Sequence, residues 1–273
     1  MYFACNIRGR KFENVVSSKL IYPSPQLAIR ESLKEYVVDS KILDGNRIMQ
    51  DCFPQIDDVN VFISHSHNDE DVAIQLANII YKSCKAKSFI DSMVWDYADE
   101  LLKDIDNIYC KDKTTGRYWY NSRNRTTAYV HMMLATSLTQ MMDKCDCIIF
   151  IDTPNSIEQN VLRGDATFSP WIFHELATLH TLRVTLPPDF FAMEKLATDS
   201  RARMASFSES RKVDIALPLK REDLYSLKYE DITALHDFSN SLPDEIASSL
   251  SFIKLYKQLE KEQKKQSRRI ITG

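Results

Sequence analysis

Hydrophobic positions change period several times along the chain, and each change marks an element. After Pro23 and Pro25, Leu27, Ile29, Leu33, Val37 and Val38 recur near helical spacing, so residues 1–58 are expected to form a mostly helical lead-in. The pattern then alternates at Val59, Val61 and Ile63, with Phe62 between them, which predicts a buried strand followed by the polar turn Ser64-His65-Ser66-His67. Asn68 is a suitable N-cap with Asp71 three residues on, and apolar residues at 72, 73, 76, 79 and 80 carry the helix forward. Ser88-Phe89-Ile90 predicts a short strand ending at Asp91-Ser92, and Tyr97 to Ile108 has helical character. Lys111 to Arg125 reads as a polar, aromatic and basic loop, Tyr129 to Met142 as a helix, and Cys147 to Ile151 as a central parallel strand broken by Asp152-Thr153-Pro154-Asn155-Ser156. Ser169 followed by Pro170 is a helix start, and that helix runs through Trp171 to about Leu182, before Pro187-Pro188. Val213, Ile215 and Leu217 alternate as a last strand, and Pro243-Asp244-Glu245 opens a C-terminal helix.

Strands alternating with helices predict an α/β fold: a central parallel sheet flanked by helices, with helical extensions at both ends. In such sheets ligands gather at the carboxyl ends of the strands. Attention therefore falls on Ser64 to Asn68, Asp91 to Asp96, Asp152 to Ser156 and the start of the helix at Trp171.

Composition narrows the chemistry. The 5 glycines lie at 9, 45, 116, 164 and 273, where average usage of about 7% would supply roughly 19. Their spacing excludes a G-x-G-x-x-G fingerprint and a G-x-x-x-x-G-K-[ST] loop. A net charge of −3 gives no global attraction to nucleic acid or to an anionic membrane, and neither is expected as a partner. No run of 18 apolar residues is present, and Arg8, Arg10 and Lys11 interrupt the place where a signal peptide would need its apolar core. Cys5, Cys52, Cys84, Cys110, Cys145 and Cys147 are therefore read as reduced thiols of a cytoplasmic protein.

The strand-end loops carry a resemblance. Asn60-Val61-Phe62-Ile63-Ser64-His65, then Ser88-Phe89-Ile90-Asp91, then Cys147 to Ile151 ending in Asp152-Thr153-Pro154, and finally Ser169-Pro170-Trp171-Ile172-Phe173-His174-Glu175 together resemble a TIR domain. The likeness spans about residues 59–218, and its sharpest part is the W-x-x-x-E element at Trp171 and Glu175. It implies a flavodoxin-like TIR fold over 59–220, with an insertion at about 111–128, between a 1–58 extension and a 221–273 helical extension. It also implies an enzyme that cleaves NAD⁺ at the nicotinamide–ribose bond, with Glu175 as the catalytic residue and NAD⁺ as substrate, no separate cofactor being needed. The product would be ADP-ribose or a cyclic or conjugated ADP-ribose signal. Among TIR proteins the chain looks most like stand-alone bacterial ones, including those of Thoeris-type antiphage systems, which signal to a separate effector. Residues 91–97 resemble the loop through which the family closes its site and self-associates.

The residue chemistry is compatible with that resemblance. Trp171 and Glu175, four apart, share one helix face. A carboxylate stabilises the oxocarbenium-like charge on ribose, and nicotinamide, already cationic, leaves neutral without an acid. Ser64, His65 and Asp91 are candidate hydrogen-bond partners for the dinucleotide, and Trp95 and Trp171 are candidate stacking residues.

Other constellations carry less. His174 and His180 are six apart, about 240° around a helix, so no zincin pair forms. No cluster has metal-site spacing, and no metal is expected. The aromatic and basic run Arg117 to Arg125 is read as a packed or self-assembling loop, and Lys254 to Arg269 as a solvated helix end. Two alternatives stay open: a non-catalytic TIR interaction module, in which Glu175 is dispensable, and a nucleoside deoxyribosyltransferase-like enzyme.

Overall fold

The computed structural model describes residues 3–8, 19–22, 32–39, 42–95, 98–162, 164–183, 216–219, 221 and 224–271. In chain order its strands and helices begin β1 (Phe3–Arg8), β2 (Val37–Asp39), β3 (Ile42–Leu43), α1 (Gly45–Cys52), β4 (Val61–Ser64), α2 (Glu70–Cys84), β5 (Ser88–Phe89) and α3 (Asp91–Val94). They continue with α4 (Ala98–Ile105), α5 (Tyr120–Lys144), β6 (Cys147–Asp152), β7 (Glu158–Leu162), β8 (Gly164–Thr167), α6 (Pro170–Leu179), β9 (Leu217–Pro218), β10 (Tyr225–Leu227), α7 (Tyr229–Thr233), α8 (His236–Asn240) and α9 (Asp244–Ile271). The chain divides into two compact units. One holds Met1–Pro23, Asp58–Ile90 and Met142–Gly273, the other Ser24–Asp57 and Asp91–Met141.

The first unit is built on a five-stranded parallel sheet of order β10-β1-β6-β4-β5, with helices on both faces, consistent with a flavodoxin-like arrangement. Cys147 to Ile151 are all buried, as a strand covered on two faces must be, and β6 lies at the centre of the order. One face carries Phe3, whose ring packs on Phe252 and Tyr256 of α9. The opposite face carries Phe150, which packs with Ile157 and with Ile172 and Leu176 of α6. Helices α7, α8 and α9 pack on α2.

Two of these strands come from outside the stretch expected to form the domain. Residues 1–58 read as mostly helical, yet Phe3–Arg8 is a strand paired with β6 at all six of its residues. The alternation of buried Phe3, Cys5 and Ile7 is the physical reason. Tyr225–Leu227 then pairs on the far side of β1. The expected last strand survives only as Leu217–Pro218, which joins β7 and β8 in a separate antiparallel sheet; Val213 and Ile215 lie outside the described residues.

Scarce glycine shows in the turns. Lys85, just after α2, adopts the left-handed conformation at φ 60°, and Asp58 does so at φ 59°. Both are places where glycine is the unstrained choice.

In the second unit Asp44 caps α1 by accepting from the Arg47 backbone N–H at 3.1 Å. The region expected as a loop from Lys111 to Arg125 is a short turn closed by the antiparallel Lys111–Tyr118 bridge, and α5 begins at Tyr120, nine residues before the expected start. Buried Asp106 holds these early turns: it accepts from Arg123 Nε at 2.6 Å and from Thr126 Oγ1 at 2.6 Å. Arg123 also lies over the Tyr118 ring, 4.9 Å from its centroid. Among the described residues no helix is long and apolar enough to cross a membrane.

Candidate functional site at the carboxyl ends of β4 and β6

From β4 the chain continues to β5 on one side, while β6 lies on the other side. The crevice between such strands, at their carboxyl ends, is where open α/β sheets bind ligands. Ser64 ends β4, and Asp152 ends β6.

The register fixes which side chains meet there. Ser64 pairs with Phe150, so both point to the face covered by α6. Helix α6 begins as the sequence predicts: the Ser169 hydroxyl accepts from the Ile172 backbone N–H at 3.3 Å, and Pro170 takes the first helical position. Ile172 and Leu176 anchor its apolar side on Phe150. Glu175 is thereby turned inward and is only 4% exposed. Ser64 Oγ donates to Glu175 Oε2 at 2.5 Å, linking residues 111 apart in sequence.

His65 is buried next to Ser64, with Nδ1 3.3 Å from the Ile63 carbonyl oxygen. Trp171 is half-buried on α6, one turn before Glu175. The helix ends at Leu179 rather than Leu182.

A second polar cluster ties the start of α2 to the loop after β6. Asp69 was expected only as a first-turn charge of the following helix, and Asn68 as its N-cap. Instead His67–Asp69 form a 3₁₀ turn, and α2 starts at Glu70. The Asp69 carboxylate, buried, accepts from Thr153 Oγ1 at 2.5 Å and from Asn155 Nδ2 at 2.7 Å. Ser156 Oγ donates to the Ile151 carbonyl at 2.9 Å and accepts from the Thr153 backbone N–H at 2.9 Å. The loop after β6 is thus fixed against the start of α2. The polar density of Asp152 to Ser156 was the available signal, but the partner lies 84 residues away in sequence.

Asp91 and Trp95 fall in the second unit. Asp91 opens the four-residue helix α3, and its carbonyl accepts from the Trp95 backbone N–H at 2.9 Å. Trp95 lacks the exposed face expected of a stacking residue. Its ring is 5% exposed, meets Phe53 edge-on, and its Nε1–H donates to the Pro54 carbonyl at 2.9 Å. An indole buried this way satisfies its one donor and spends its face on the core. Residues 96 and 97 lie outside the described residues.

All six cysteines are buried, and none forms a disulfide. Burial pushes the Cys84 and Cys145 thiols up to about 12. Among the described residues no three His, Cys, Asp or Glu side chains group as metal ligands.

The fold and site define an α/β protein with an open parallel sheet and a buried hydroxyl–carboxylate pair at the strand carboxyl ends. No protein-family model matches the chain, and neither a curated protein nor a solved structure does.

Proposed function

We propose that the protein cleaves NAD⁺ at the nicotinamide–ribose bond, with Glu175 as the catalytic carboxylate. The observation that supports this reading most is the Ser64–Glu175 hydrogen bond at the sheet's switch point. The bond orients the Glu175 carboxyl group at the strand ends, where a carboxylate stabilises positive charge developing on a ribosyl group.

In this reading the substrate ribose lies against Glu175. As the glycosidic bond lengthens, its electron pair moves onto the nicotinamide nitrogen, which loses its formal positive charge. The ribosyl carbon takes up positive charge opposite the carboxylate. Water, or a hydroxyl or ring nitrogen of another nucleoside, then adds to that carbon and loses its proton where needed. Ser64 positions the carboxylate, His65 is buried next to Ser64, Trp171 lies one helical turn before Glu175, and Asp69 holds the loop after β6.

Incubating the pure chain with NAD⁺ and measuring nicotinamide release by mass spectrometry tests the proposal. The native chain is expected to release it, with ADP-ribose, a cyclic isomer or an adduct as co-product. Equal release by the native chain and by Glu175→Ala would remove Glu175 from the mechanism. It would leave the carboxylate as a structural tie between α6 and β4.

A further inference from the structure

Two arginines sit at the same strand edge, and the reading above leaves them unused. Arg8 is the last residue of β1 and is paired in register with Asp152, the last residue of β6. Paired residues of a parallel sheet project to the same side. Arg8 therefore shares a face with Asp152, Phe150 and Ser64. Arg221 reaches the same place: its Nη1 donates to Asp152 Oδ2 at 2.6 Å, and the neighbouring Leu219 and Leu224 pack on the Phe150–Ile172–Leu176 cluster under α6.

The charge along this edge is uneven. Near β4 stand the carboxylates of Glu175 and Asp69, while the described residues at the ends of β1 and β6 include Arg8 and the Arg221–Asp152 ion pair. Arg8 is exposed there, at the end of the sheet where ligands bind. From Ser64 to Arg8 is two strand spacings across and two residues along, a backbone separation of about 12 Å.

We infer that Arg8 and Arg221 form a phosphate-recognition site, holding the diphosphate of the ligand whose ribose faces Glu175. The planar guanidinium fork matches phosphate oxygens two at a time, and Asp152 holds the Arg221 fork in place. The inference rests on the proposed reading for the identity of the ribose-facing end. It adds that the substrate must be a phosphorylated ribosyl compound, and that nicotinamide riboside, lacking phosphate, loses this contact.

The test uses the full chain and ADP, which carries the diphosphate and lacks the nicotinamide–ribose bond. Titration calorimetry is expected to show ADP binding that weakens at least 10-fold in Arg8→Gln and partly recovers in Arg8→Lys. Adenosine should bind the native chain and Arg8→Gln alike. Because Arg8 is exposed at a strand end, circular dichroism should find Arg8→Gln folded; Arg221→Lys, which keeps the charge but loses the fork, provides a second variant with the same expected direction. ADP binding that is absent in the native chain, or equal in all variants, overturns the inference. Loss of the cleavage reading is read separately: if Glu175→Gln still releases nicotinamide while Arg8→Gln still weakens ADP, the phosphate site stands and the role of Glu175 falls.

Discussion

Two buried carboxylates, one in each compact unit, show how differently the same chemistry can be used. Asp106 accepts from Arg123 and Thr126, which lie 17 and 20 residues along the chain, and its charge is met by a guanidinium that is itself half in water. It welds the start of α5 to the turn before it. Glu175 accepts from a hydroxyl 111 residues away, across two elements, at the carboxyl end of a parallel sheet. The first arrangement is local and sits beside a solvent-facing turn. The second brings distant segments together at the crevice where the strand order changes direction, as binding sites in open sheets do. A buried carboxylate is therefore not a site by itself; topology and the reach of its partners separate the two.

Variants can break or sharpen that contrast. Among substitutions of the carboxylates' surroundings, Ser64→Ala should have the largest effect, lowering nicotinamide release about 10- to 100-fold in kcat while moving KM little, because a positioning hydrogen bond of this kind is felt in the transition state. A change confined to KM would instead make Ser64 a binding residue. Asp106→Ala should leave release per folded molecule unchanged and cost about 1–3 kcal/mol in urea unfolding, since it strands Arg123 and Thr126 in a partly wet corner. A loss of activity without a loss of stability there would erase the contrast. Ser169→Ala, which removes the cap of the helix bearing Glu175, should cost about 1 kcal/mol by the same measurement. Lys85→Gly should stabilise by about 0.5–1 kcal/mol, because the left-handed turn after α2 no longer strains a side chain.

The thiols add a dependence on pH. With the folded-state values of Cys84 and Cys145 raised to about 12 from 9.0, the folded chain holds protons that the unfolded chain releases. Stability from these groups is complete below pH 9 and falls as pH rises from there towards 12, on the order of 1 kcal/mol per thiol per pH unit. Melting temperatures at pH 8 and pH 10.5 check this, and constancy between them would contradict it.

Much of the site-bearing sheet was legible in the chain. The apolar run Cys147 to Ile151 announced a central strand, Val61 to Ile63 its neighbour, and Ser169-Pro170 the start of the helix carrying Trp171 and Glu175. What escaped was short or distant. Phe3, Cys5 and Ile7 alternate correctly, but a single six-residue strand ahead of a long helical pattern is easily absorbed into it, and Tyr225–Leu227 is too brief to show a period. The first turns of α5 are polar because Asp106 satisfies them from outside the helix, which no local pattern records. Asp69 was misjudged for the same reason: its partners Thr153 and Asn155 become neighbours only when β4 and β6 pair. Trp95 looked like a site residue because of its loop and proved to be a core residue because of its packing.

Glu175→Gln tests the proposed catalytic role most directly, because shape is kept while the carboxyl group is lost. Nicotinamide release from NAD⁺ by the two proteins should differ by about 100-fold or more in kcat, at closely matched melting temperatures. Release at the native rate from a folded Glu175→Gln protein would contradict the proposed role of the buried carboxylate.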